Sequence, residues 1–321
     1  MNDQPSIPRA GFAAVLGAPN AGKSTLVNRL VGAKVSIVTR KVQTTRFPVR
    51  GVAMSGESQI VLVDTPGVFT PRRRLDRAMV RSAWAGAQDA DAVVHLVDAE
   101  GEIAVAEKAA SAAQHRSAED TQTILKGISE TLSQGTGKSV ILALNKVDAV
   151  KRDSLLALAE RMFAWGVHSE VFMISAETGS GVEDLKKRLG ALMPEGPWLY
   201  PEDQTADLPV RLLAAEITRE KIYLRVHEEL PYAAAVETTA FEDKPDGSAR
   251  IEQTIFVERE SQRPIVLGQG GQTLKWIGQK AREDLGEILG RTIHLFLTVK
   301  VVENWQDKRD FYRDTGLDFD A

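Results

Sequence analysis

The sequence predicts a doubly wound α/β domain followed by a smaller α+β domain. Three observations carry that prediction. Short β-branched runs alternate with helical patterns from Phe12 to about Met193. A glycine turn beginning at Gly17 follows the first of these runs and opens a helix. After a proline-rich polar stretch, a second glycine turn, Gly268 to Gly271, opens another helix among strands of a different order. At 321 residues and 43% hydrophobic, the chain is long enough for two cores of ordinary size.

In chain order, FAAVLG, QIVLVD, AVVHLVDA, VILALNKVD and EVFMISA read as strands, separated by the helical KSTLVNRLVG, LDRAMVRSAWAGA, LLALAERMFAWG and VEDLKKRLGALM. This alternation predicts parallel strands joined by crossover helices, with binding residues at the carboxyl ends of the strands. Residues 99–138, rich in Ala, Ser, Glu and Gln, suit an extra surface helix with a flexible end. Pro194 to Pro209 reads as a linker. Beyond it, LPVRLLAAEITREKIYLRV reads as a strand and helix, ELPYAAAVETTAFED and ARIEQTIFVERE as alternating strands, and TIHLFLTVKVV as a last strand after a helix ending near Leu289.

Composition excludes several classes. A net charge of −4 rules out a wholesale polycation, so nucleic-acid binding has to come from a local patch. With no cysteine there are no disulfides, thiolate zinc sites or cysteine nucleophiles, which fits a reducing cytoplasm. The polar N-terminus is no secretory signal, and no apolar run approaches the roughly 20 residues of a membrane span.

Four motifs define a nucleotide pocket. Gly17-Ala-Pro-Asn20-Ala21-Gly22-Lys23-Ser24-Thr25 matches GxxxxGK[ST] between strand and helix. Its glycines let backbone N–H groups approach phosphates, Lys23 brings charge to the β/γ oxygens, and Ser24 can ligate Mg2+. Asp64-Thr65-Pro66-Gly67 follows IVLV, where the carboxylate can hold the metal through water and the Gly67 N–H can sense a γ-phosphate. Asn145-Lys146-Val147-Asp148 supplies base selection: Asp148 accepts from the guanine ring N–H and amine, and Asn145 ties the loop to the phosphate loop. Ser175 and Ala176 complete the pocket with backbone N–H groups facing the guanine carbonyl. The second glycine turn lacks GKS and does not satisfy GxGxxG, so it is neither a second nucleotide site nor a dinucleotide fingerprint. What remains is GxxG before an amphipathic helix, the arrangement with which KH domains clamp single-stranded nucleotides.

GAPNAGKS, QTTR at Gln43 to Arg46, DTPG, NKVD and SA, in that order, resemble the motifs of translation-factor-related GTPases, and within that class the Era family and its tRNA-modification relatives. ITREKI, ELPY, FVERESQ and VKVVENW extend the resemblance over nearly the whole chain. It implies a Ras-like P-loop GTPase domain at 8–195, a linker at 196–208, a type II KH RNA-binding domain at 209–303 and a tail at 304–321. It further implies GTP hydrolysis carried by Lys23, Asn20, Thr45, Asp64 and Gly67, with Mg2+ held by Ser24, Asp64 and a switch threonine, Thr45 or its neighbour Thr44. Val68 stands where many GTPases place a water-orienting glutamine, and Asn20 matches the K+-coordinating asparagine of potassium-activated relatives. RNA contact is expected from Gly268, Gln269, Gly270 and Gly271, with Lys275, Lys280 and Arg282 supplying charge that Gln269 and Gly270 do not. The implied partners are 16S ribosomal RNA at its 3′ end and the 30S subunit, for a monomer in the cytoplasm with occasional peripheral inner-membrane contact. The rivals are a tRNA-modification GTPase, disfavoured by the missing folate-binding domain and C-terminal cysteine, and an RNA-binding module whose nucleotide site is only structural.

Overall fold

The computed structural model describes residues 7–39, 41, 44–132, 138–226, 230–313 and 315–321. Gln43, Glu229 and the end of the 99–138 stretch at 133–137 lie outside the described residues. The chain divides into two compact units. Met1–Ser36, Thr45–Asp207 and Asp320–Ala321 form the first, and Ile37–Thr44 with Leu208–Phe319 the second.

The first unit is built on β1 (Arg9–Gly17), α1 (Lys23–Val31), β2 (Val49–Ser55), β3 (Ser58–Asp64), α2 (Arg74–Asp89), β4 (Ala92–Asp98), α3 (Ala99–Ala106), α4 (Ala112–Thr131), β5 (Ser139–Asn145), α5 (Arg152–Phe163), β6 (Glu170–Met173), α6 (Val182–Leu192) and β7 (Ala206–Asp207). Its sheet runs β6-β5-β4-β1-β3-β2-β7. Successive residues of a strand face opposite sides, and β1 shows the result. Ala13 and Val15 share a core with Leu26 and Leu30 of α1 and Leu185 and Leu189 of α6. Ala14 and Leu16 pack on the other side with Ala83 and Ala87 of α2 and Ile124 and Ile128 of α4. A strand buried on both faces has to be apolar throughout, which is why these runs are continuous.

Three expectations need correction. The sheet is mixed, because β2 runs antiparallel to β3, and β7 antiparallel to β2. Ser55 and Ser58 face each other across a two-residue turn whose Gly56 has φ 57°, a conformation glycine adopts without strain. The 99–138 stretch is no surface appendage: α4 buries Thr121, Ile124, Leu125 and Ile128, spaced i, i+3, i+4 and i+7. Much of the expected linker is fastened to the first unit. Gln59 Oε1 accepts from the N–H groups of Leu199 and Tyr200 at 2.8 and 2.9 Å, its Nε2 donates to Tyr200 O at 2.8 Å, and Trp198 Nε1 donates to Glu57 O at 3.0 Å.

In the second unit, α7 (Val210–Arg225) and α9 (Gln272–Leu289) cover a three-stranded sheet of order β10-β9-β8. β8 (Ala235–Asp243) is antiparallel to β9 (Ala249–Val257), and β10 (Ile293–Val301) is parallel to it. Ala214, Ile217, Ala281 and Leu285 of the helices meet Ile251 and Leu295 of the strands. Ile37 joins this core, and Val38 N–H donates to Glu220 Oε1 at 3.0 Å. The apolar run PIVL lies in a short helix, α8 (Arg263–Leu267), so the order is α-β-β-α-α-β, with one helix more than expected. Pro264 suits a first helical turn and Gly268 ends it. Among the described residues no helix is long and apolar enough to cross a membrane.

Candidate functional site

The phosphate loop leaves β1 at Gly17, whose carbonyl accepts from Val68 N–H at 3.2 Å. A Cβ on Gly17 would lie 2.6 Å from Leu96 O, so the strands leave room only for glycine. Asn20 and Gly22 take positive φ, 64° and 99°. Lys23 is buried, and its Nζ donates to Gly17 O at 3.1 Å and Ala18 O at 2.9 Å. Burial lowers its ammonium to about 8, opposed by the charges of Asp64 and Asp120. Thr25 continues α1, half-buried. Gly67 closes over the loop: a Cβ there would stand 3.1 Å from Pro19 N.

The metal-type residues converge. Ser24 Oγ and Thr45 Oγ1 are 2.9 Å apart, and Thr45 Oγ1 donates to Asp64 Oδ2 at 3.3 Å. Asp64 Oδ1 is buried without a hydrogen-bond partner. Burial raises the carboxyl's pKa, while Ser24 and Lys23 favour its ionised form. An uncompensated buried carboxylate oxygen beside two hydroxyls is a hard-oxygen set of the kind Mg2+ prefers. Thr44 is not part of it; its hydroxyl meets Thr39 Oγ1 and donates to Lys41 O, each at 2.7 Å. Thr65 and Pro66 are buried, and Thr65 Oγ1 donates to Val15 O at 2.6 Å, so that side chain serves the sheet.

The base-reading loops are knitted to the phosphate loop by one side chain. Asn145 Nδ2 donates to Ala21 O at 2.8 Å, and Asn145 Oδ1 accepts from Ala176 N–H at 2.9 Å. Ser175 Oγ accepts from Thr178 N–H at 3.1 Å, which turns the loop after β6. Asp148 is exposed in the turn after β5, with its carboxylate available to a ligand. Two contributors escaped sequence reasoning. Arg29 Nε donates to Ala176 O at 3.2 Å, and Asp98 pairs with Lys146 at 2.5 Å. Asp98 ends β4, so its strand-end position was the available signal. Val68 is buried in the core, which removes any side chain there from water positioning.

In the second unit, Gly268, Gly270 and Gly271 all have positive φ, at 73°, 58° and 78°. A Cβ on Gly268 would lie 2.3 Å from Thr273 Oγ1, whereas Gly270 and Gly271 face open space. Gln269 and Gly270 are exposed at the tip. Lys275 and Arg282, seven residues apart on α9, lie on one face of the helix. Lys280 points about 140° away from Lys275 and makes an exposed pair with Glu283 at 2.6 Å, of a kind that contributes little.

One unit can thus grip a guanine nucleotide and a hard metal ion, and the other presents a glycine backbone suited to a sugar-phosphate chain. Together they define a Ras-like GTPase joined to a type II KH domain. The family model described as "50S ribosome-binding GTPase" matches residues 12–146, and the "KH domain" model matches 229–306. The chain is 68% identical to GTPase Era of Caulobacter vibrioides and 58% identical to that of Maricaulis maris, with each pair covered over its full length. A structure of an Aquifex aeolicus Era variant bound to GDP and AlF4− superposes with a TM-score of 0.84 at 36% identity, covering 96% of this chain and 99% of that one. A structure of Era with MgGDPNP and nucleotides 1506–1542 of 16S ribosomal RNA gives 0.84 at 35% identity, with the same coverage. The chain belongs to the GTPase Era family.

Proposed function

We propose that this protein is a GTP-hydrolysing switch that binds the 3′ end of 16S ribosomal RNA and assists 30S subunit assembly. The convergence of Ser24, Thr45 and Asp64 beside Lys23 carries the reading, since a merely structural nucleotide site has no use for a switch threonine among metal-type oxygens. The N–H groups of the Gly17–Thr25 loop hold phosphate oxygens, Lys23 reaches the β/γ oxygens and the Gly67 N–H meets the γ-phosphate. Thr45, rather than Thr44, closes on the metal in the GTP state. Mg2+, when bound, neutralises phosphate charge as the leaving group departs. Asp148 selects guanine by accepting from its ring N–H and amine.

With Val68 in the core, water positioning falls to backbone groups, and Asn20 would hold a K+ ion that would supply positive charge beside the phosphates. RNA lies against Gly268–Gly271, with Lys275, Lys280 and Arg282 supplying positive charge along α9. The Era complex with 16S ribosomal RNA supports this assignment. The protein works as a cytoplasmic monomer, and any membrane contact is peripheral.

The test joins multiple-turnover GTP hydrolysis to single-stranded RNA affinity at fixed salt. Gln269→Glu with Gly270→Glu places two carboxylates at the phosphate contact and lowers RNA affinity about a hundredfold or more. Gly270→Ala separates charge from shape, because the turn leaves space for a methyl but imposes φ 58°. Intrinsic turnover stays at the parental rate. A folded, doubly acidic variant that binds RNA as tightly as the parent removes the clamp, and binding of GTP without phosphate release removes the switch.

A further inference from the structure

Near the Ser24, Thr45 and Asp64 cluster stands a residue that no motif names. Ser36 is 3% exposed, and its Oγ has no hydrogen-bond partner. Its backbone is fixed on both sides by Asn28: Oδ1 accepts from the N–H groups of Val35 and Ser36, both at 2.9 Å, and Nδ2 donates to Ser36 O at 2.8 Å. Asn28 lies one turn beyond Ser24 on the same face of α1, so the helix that offers Ser24 also seats Ser36. The Ser36 hydroxyl is close enough to Asp64 to favour its ionised form, yet makes no hydrogen bond of good geometry with it. Two buried oxygens, Ser36 Oγ and Asp64 Oδ1, therefore lie unpartnered in one neighbourhood. Burying a polar atom without a partner costs free energy, and such atoms persist where a ligand or water satisfies them.

We propose that Ser36 is a further residue of the metal centre, its hydroxyl holding a water of the Mg2+ hydration shell together with Asp64 Oδ1. The inference rests on the metal reading proposed above. Mg2+ takes six oxygens and gives up its waters reluctantly, so two protein hydroxyls and a nucleotide leave bound waters whose hydrogens need acceptors. Groups that orient such ligands tune metal affinity without touching the ion. Ser36 is thus a positioning residue, acting through water.

The experiment measures release of methylanthraniloyl-GDP from the full chain across a Mg2+ titration. Ser36→Ala raises the Mg2+ concentration for half-maximal retention about tenfold, while release in EDTA matches the parent. Ser36→Thr, which keeps the hydroxyl, restores the parental dependence. If Ser36→Ala does not fold, Ser36→Thr and Ser36→Val decide, since they match in shape and differ in the hydroxyl. A parental Mg2+ dependence in Ser36→Ala or Ser36→Val overturns the proposal, as does equal loss in Thr and Val, which would mark a packing role. Ser24→Ala separates the two levels. If it shifts the Mg2+ dependence and Ser36→Ala does not, only the Ser36 assignment falls; if neither shifts, the metal reading falls with it.

Discussion

Lys23 carries a cost that nucleotide binding relieves, and protons report it. Burial lowers its ammonium from the usual 10.5 to about 8. At pH 8 the group is half ionised in the empty pocket, and a phosphate beside it restores full ionisation. GDP binding therefore takes up about half a proton per site at pH 8 and about 0.1 at pH 7. Returning the group from about 8 to 10.5 corresponds to roughly 3 kcal/mol, at about 1.4 kcal/mol per pH unit. The sign for the empty protein follows. Because the folded value is the lower one, the penalty is complete below about pH 8 and fades as pH rises toward 10.5. Calorimetry of GDP binding in EDTA, in buffers of contrasting ionisation enthalpy, measures the uptake directly. Equal proton uptake at pH 7 and pH 8 would refute the reasoning.

Three further outcomes are expected. Asp148→Asn weakens GTP binding sharply and shifts preference toward xanthosine nucleotides, because the amide presents a donor to guanine's own amine; competition binding with both nucleotides checks it. Hydrolysis is slow and faster in K+ than in Na+, and Asn20→Ala removes only the potassium-stimulated part, so equal rates in the two salts count against the cation. Gly22→Ala puts a methyl 2.3 Å from Asn145 Nδ2 at φ 99°. Left-handed strain and a disturbed buried hydrogen bond together cost about 2–4 kcal/mol, seen as a lower thermal midpoint and weaker GDP binding; a parental midpoint would show that the amide moves aside freely.

Much of the pocket was legible because its motifs are local: strand, turn and helix adjoin in sequence, and the chemistry follows from backbone geometry. Thr45 and Thr44 could not be separated, since adjacent residues of one type carry no spacing signal, and only the tertiary approach of Ser24 and Asp64 distinguishes them. The strand β2 was missed because Arg50 and Gly51 interrupt its apolar pattern, while its partner β3 carries the unbroken apolar run Ile60–Val63. The core role of α4 was present as a four-residue stripe, masked by the surrounding Ala, Ser, Glu and Gln. PIVL has strand-type residues, yet a proline at its start and a positive-φ glycine at its end suit one helical turn better.

The Asn145 amide makes the nucleotide pocket behave as one mechanical piece. The same group holds Ala21 O and Ala176 N–H, so neither the phosphate loop nor the Ser175–Ala176 loop opens without breaking that link. The entropy of ordering both loops is lost once, as the chain folds, and not again when a nucleotide arrives. Association then proceeds against walls already in position. The Ala176 N–H should accordingly exchange its hydrogen at the pace of the sheet beneath it and not at that of a surface loop, so one slow amide reports the integrity of the whole pocket.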